Sequence, residues 1–252
     1  MVSNTFKLNN PPIVEAVLDI DCDMTPALDI TTLEAPFRDA FRAHYPKFRT
    51  QIIQEHQIEA SVDGAPKMTT RRGFQAFQLL QEDEKQLVQI RAHGFSFNRL
   101  APYTSLDDYL PEMERSWRLF MELAKPVQIR LVRLRYINRI FLPMNERKLV
   151  DLDDYFKFGP RLPDEDKLTF VGFLNQHLAV ETATGNQVNI TLAALPQEHD
   201  RLPVILDIEA VRTQSIEPND WASLHSIIQS LRNLKNLVFE NSLTPQCLNL
   251  FQ

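Results

Sequence analysis

Cysteine is nearly missing from this sequence: Cys22 and Cys247 are the two in 252 residues. So sparse a pair cannot supply a disulfide framework, so the fold must rest on its core, as in a reducing compartment. Glycine is scarce too, and the six (Gly64, Gly73, Gly94, Gly159, Gly172, Gly185) stand far apart. No loop can therefore wrap a phosphate in backbone, which excludes a P-loop and a dinucleotide fingerprint. The six histidines form no pair at a spacing of three or four residues, and neither cysteine has a second nearby, so no zinc pattern is present. Positive charge is in deficit. A formal net charge of −6 gives no global field toward nucleic acid or an anionic membrane. No apolar run reaches the roughly 18 residues that a membrane helix needs. The opening stretch MVSNTFKLNNPPIVEAVLDI has no basic segment followed by an apolar one, so no signal peptide is expected. These absences predict a cytoplasmic protein with no cofactor, working away from membranes and nucleic acid.

What is present is an ordinary globular composition, 44% hydrophobic and 24% charged, long enough to bury a sizeable core. Residues 11–23 alternate Val14, Ala16, Leu18, Ile20 and Cys22 against Glu15, Asp19, Asp21 and Asp23, the signature of a half-buried strand. A helix follows to Pro46, with Thr31 or Thr32 as its cap. Residues 49–61 read as a strand and 64–73 as an interruption, followed by a hairpin of 74–81 and 86–93 and a short strand at 94–100. Ser105 caps a helix in which Leu106, Leu110, Met113, Trp117, Phe120 and Ala124 recur at helical spacing. The second half opens with a strand at 126–143 and a short helix at 151–158. Three antiparallel strands follow (167–182, 186–195, 202–213), the first turn being marked by Thr184-Gly185-Asn186. Asp220 caps a long helix, and Thr244 with Pro245 starts a short one at the C-terminus.

The order of elements repeats. The interval from Pro12 to Pro126, each just before a strand, matches that from cap Ser105 to cap Asp220 to within one residue. The expected fold is α+β, with two strand–helix–antiparallel-strands–long-helix units, 1–125 and 126–252, packed as one domain. This layout resembles that of GyrI-like and SOUL-type ligand-binding domains.

The stretch RLRYINRIFLP (133–143) breaks the rule of a buried strand. One face carries Leu134, Tyr136, Asn138, Ile140 and Leu142; the other carries Arg133, Arg135 and Arg139, with Arg130 on the first face near the strand's start. An amide in an apolar row must find partners, so Asn138 is expected to bond to backbone or a neighbouring side chain. The arginines admit two readings. They form a binding face for an anionic ligand or an acidic partner, since guanidinium recognises carboxylate and phosphate bidentately. Or they pair with Glu15, Asp19 and Asp21 across a ladder, if the first strands of the two halves are neighbours. The acid row has a reading of its own: Glu15, Asp19 and Asp21 could hold Mg²⁺ for phosphohydrolase chemistry, although the alternating Glu-x-Glu-x-Lys of tunnel-type triphosphatases is missing. The segment GFSFN starts like a nucleophile elbow, but Asn98 stands where glycine is needed.

Four segments, PPIVEAVLDI, PYTSLDDYLPEMERSW, RLRYINRIFLP and LKNLVFENSLTPQCLNLF, resemble a sporadically distributed family of uncharacterised bacterial proteins of about this length. The resemblance implies no assigned activity, and its patchy distribution implies mobile loci of the defence or toxin–antitoxin type. The expected function is therefore non-enzymatic: binding of a protein partner or a small anionic ligand. A metal-dependent phosphohydrolase and a structural subunit of an assembly are the alternatives. Val238, Phe239, Leu243, Leu248 and Phe251 are too apolar for a free tail, so the C-terminus should dock on the core or on a second subunit, as in a homodimer.

Overall fold

Nine strands pair into one antiparallel sheet in the computed structural model, which describes residues 8–59, 67–146, 149–164 and 167–252, without the side chains of 55–59 and 67–71. In chain order they are β1 (Ile13–Asp23), β2 (Lys47–Glu59), β3 (Lys67–Leu80), β4 (Gln86–Arg91), β5 (Gly94–Leu100), β6 (Gln128–Pro143), β7 (Leu174–Val180), β8 (Gln187–Ala194) and β9 (Arg201–Ile216). Their order across the sheet is β2-β3-β4-β5-β1-β6-β9-β8-β7. The opening strands of the two halves, β1 and β6, therefore lie side by side at the centre, with Asp19 opposite Arg133 and Val17 opposite Arg135.

The helices are α1 (Glu34–Phe41), α2 (Leu106–Ala124), α3 (Trp221–Ser242) and the short α4 (Pro245–Leu248). The starts of α2, α3 and α4 each have a polar cap that satisfies a free backbone N–H, whereas α1 follows Leu33 without one. Ser105 accepts from Asp107 N, Asp220 from Ser223 N, and Thr244 from Cys247 N. At the end of α2, Lys125 takes a left-handed conformation and Pro126 cannot continue the helix. Helices α1, α2 and α3 all cover one face of the sheet. Phe37 and Phe120 stack with ring centres 6.3 Å apart, and Phe95 meets Trp117 edge-on at 5.7 Å. The alternating row Leu18, Ile20, Phe95, Val132, Leu134, Ile208 and Ala210 is buried beneath them. Each of the larger of these side chains contributes about 1.5–3 kcal/mol on leaving water. The C-terminus docks as well: Phe239, Leu243, Cys247 and Phe251 are buried in the same core.

The α+β class stands, with the sheet dominant. Among the described residues the halves differ in content: between its opening strand and its long helix the first has α1 and four further strands, the second a 3-10 turn and three further strands. Three local expectations are corrected. The helix after β1 is preceded by a 3-10 turn, Ile30–Leu33, whose cap is Asp29 rather than Thr31 or Thr32. Residues 151–158 form only the turn Leu152–Asp154, because Phe156 then bridges to Leu243 and Lys157 N donates to Ser242 O, pulling the backbone out of helix. The strand expected over 167–182 covers only Leu174–Val180, the length that β8 can pair. Of the expected interruption at 64–73, residues 67–73 belong to β3 and pair with β2; 64–66 lie outside the described residues. No helix among the described residues is long and apolar enough to cross a membrane.

Candidate functional site

The face of the sheet turned away from α1, α2 and α3 carries charge at its centre. Because side chains alternate along a strand, the residues between the buried ones on β1, β6 and β9 all point there. The charged ones are Glu15, Asp19 and Asp21 on β1, Arg133 and Arg135 on β6, and Asp207 and Glu209 on β9, joined by Arg91 of β4; Val17, Ile137, Ile205 and Val211 lie among them. The register sets the pairs. Arg135 lies opposite Glu209, yet its guanidinium reaches the diagonal neighbour Asp207, with Nε 2.9 Å and Nη2 2.5 Å from its carboxylate oxygens. That two-pronged contact is the geometry in which guanidinium binds carboxylate best, and it holds the Arg135 cation above its usual proton affinity.

Arg133 is held differently. Three carboxylates surround it at longer range: Asp19 at 3.5 Å, Asp21 at 4.0 Å and Glu209 at 3.5 Å. Among the described residues it makes ion pairs but no aligned hydrogen bond, although its side chain is only 26% exposed. Arg91 joins the same cluster, 2.8 Å from Asp21 and 3.5 Å from Asp19. Neutral groups complete it: Ser96 donates to Asp19, and Asn98 donates to Glu15 at 2.8 Å. The tight β4–β5 hairpin makes this approach possible. A Cβ added at Gly94 would run into the carbonyl oxygen of Ile20, so only glycine lets β5 lie this close to β1.

The other singled-out residues sit apart. Arg130 pairs with Asp23 at 3.0 Å at one end of the central strands. Arg139 pairs with Glu198 toward the other end, its guanidinium 4.8 Å from the centre of the Phe141 ring. Asn138 lies on the opposite, helix-covered face, where it is buried and donates to Leu206 O at 2.9 Å and Tyr136 O at 3.3 Å. The acids Glu15, Asp19 and Asp21, read above as metal ligands, are all engaged by arginine or amide side chains. No group of three or more His, Cys, Asp or Glu is arranged to hold a metal among the described residues.

Sequence reasoning left Asp207, Glu209 and Arg91 without a role. The signal was there: LDIEAV in β9 alternates carboxylates with apolar residues in the way β1 does. It also left unused a polar cluster on the covered face. Tyr136 and Tyr103 share a hydrogen bond at 2.8 Å, and the Lys235 Nζ lies 4.0 Å from the centre of the Tyr136 ring. Burial, helped by the neighbouring Arg232 cation, pushes the Lys235 amine down to about 7. Burial raises the Tyr136 phenol to about 12 and the Tyr103 phenol further. Arg232 in turn bonds Asp107 through both terminal nitrogens, at 2.7 and 3.0 Å, which ties α3 to the start of α2.

Among the described residues the open face offers a charged, hydrogen-bonding surface. The chain matches no protein-family model, and no curated protein sequence matches it.

Proposed function

We propose that this chain is a non-enzymatic interaction protein whose open sheet face meets a partner. One observation carries the reading: Arg133, half-buried at the centre of the sheet, is neutralised by three carboxylates yet aligned with none of them. Its terminal N–H groups can thus turn to an incoming acceptor without loss of an existing hydrogen bond, while its Nε stays buried. Arg135 flanks it, while Arg139 and Arg130 extend the basic positions to either end of the face. A protein partner bringing both signs of charge suits this surface better than a small anion. Glu15, Asp19, Asp21, Asp207 and Glu209 outnumber Arg91, Arg133 and Arg135, so the centre of the face is acidic on balance.

The same reading treats the halves as copies of one unit. In its support, the order β5-β1 on one side of the central pair is mirrored by β9-β6 on the other. The extra strand β2 and helix α1 of the first half depart from it. A cytoplasmic setting rests on the sparse cysteines and the lack of a signal-peptide pattern, and a mobile defence or toxin–antitoxin locus on the family resemblance alone.

Affinity capture from a bacterial lysate tests the proposal, with the wild-type chain and Arg133→Glu as bait and circular dichroism as a check on folding. A protein retained by wild type and released by Arg133→Glu is the expected result. Identical capture by both baits, or stoichiometric Mg²⁺ binding that Asp19→Asn abolishes, would replace it with a different function.

A further inference from the structure

The sheet ends in two unlike edges. At one end β2 carries Lys47, Arg49, Glu55 and Glu59, and its Lys47 and Arg49 pair with Glu84. At the other end β7 reads Leu-Asn-Gln-His-Leu-Ala-Val, with no charged residue, no proline and no glycine. An unpaired strand edge is a row of free N–H and C=O groups that templates another strand, and charge, proline or a bulge is the usual protection. β2 has that protection and β7 has none. Its apolar side chains are bare as well: Leu174 is 74%, Leu178 81% and Val180 60% exposed.

Two backbone bonds fix which groups of β7 are free. Glu181 N donates to Asn186 O, and Ala194 N donates to Phe173 O, so the odd-numbered residues face β8. Pairing alternates along an antiparallel ladder. Leu174, Gln176, Leu178 and Val180 therefore turn their N–H and C=O groups outward. Their side chains share one face, the same face as Asp207 and Glu209.

We propose that β7 pairs antiparallel with β7 of a second copy of this chain, about a twofold axis at His177. In that register Leu174 faces Val180 of the second copy and Gln176 faces its Leu178, so each outward residue meets another outward residue. Slipping by two positions to either side leaves an outward residue at one end without a partner from β7. The strand is thus complementary to itself, apolar against apolar at its ends, with no like charges brought together. A second copy fits this edge for that reason, and pairing joins the two sheets into one of twice the width. The inference stands apart from the open-face reading, since it uses the margin of the sheet and not Arg133.

Size-exclusion chromatography with light scattering on the full chain tests it. Wild type should run at twice the 29.2 kDa chain mass. Gln176→Pro removes one outward N–H without touching the β8 ladder, and Leu178→Lys places a charge in the pairing row. Both variants should fall to the single-chain mass with an unchanged circular dichroism spectrum, while Arg133→Glu should remain a dimer. A wild type that stays at 29.2 kDa at every concentration overturns the proposal, as does a dimer that both β7 variants retain.

Discussion

Strands β1, β6 and β9 present two faces built on opposite plans. Toward the helices they bury Leu18, Ile20, Leu134, Tyr136, Ile208 and Ala210, with Asn138 bonded to backbone oxygens. Toward the open side the same strands hold Asp19, Arg133, Arg135, Asp207 and Glu209, which offset one another across the ladder. On the first face cohesion comes from close packing and release of water, which depends on shape and little on salt. On the second it is Coulombic, weakened by contact with water and screened by ions. Truncation should therefore cost much on one face and little on the other, and each prediction below probes that contrast.

The largest expected effect is on the covered face. Asn138→Leu keeps the volume but removes a buried amide, leaving Leu206 O and Tyr136 O without that donor. It should lower the unfolding free energy by about 1–3 kcal/mol in urea denaturation. A variant as stable as wild type would show that the covered face does not need its one buried amide in this row.

Lys235 is the exception on the covered side, and its replacement should help. Its folded pKa, about 7, lies below its ordinary 10.5. Between those values the unfolded chain holds a proton that the folded chain has shed, so stability rises with pH across this window. Below about 7 both states are protonated and the full cost of the half-buried ammonium is felt. Lys235→Met should thus stabilise by about 1 kcal/mol at neutral pH and flatten the pH dependence above it. Thermal melts of both proteins from pH 6 to 10 would check the sign, and a destabilised variant would refute it.

The smallest effect belongs to the open face. Arg135→Ala and Asp207→Ala should each shift stability modestly, and their double-mutant cycle should return a coupling below about 1 kcal/mol that shrinks in high salt. Arg135 is 41% exposed, so water already competes for its partner. A coupling of several kcal/mol, unchanged by salt, would erase the distinction between the two faces.

Much of this was legible in the alternation of residues. Period-two patterning placed GFSFNRL as a strand from Gly94 to Leu100, and the polar caps Ser105, Asp220 and Thr244 set three helix starts. What could not be read was anything decided by a distant neighbour. KLTFVG alternates as well as a real strand, but β8 is too short to reach it, and Val171 is left exposed. The short helix after Asp151 loses to a bridge with Leu243, far along the chain. The site shows the same limit. Facing rows of acids and arginines follow from the pattern of β1 and β6, whereas the choice of Asp207 over Glu209 by Arg135 depends on the twist that favours diagonal contacts.

β1 acquires its two neighbours at different times. β5 follows within the first half, but β6 is translated only after α2. Until β6 is made, any sheet that the first half forms has β1 as its bare margin. At such a margin the negative charge of Glu15, Asp19 and Asp21 that Arg91 leaves uncancelled would hold water and repel an identical margin. The arginines of β6 then cancel that charge as the strand zips on. The carboxylates at the centre of the finished sheet are thus also the charges that a lone first half would carry along its exposed margin.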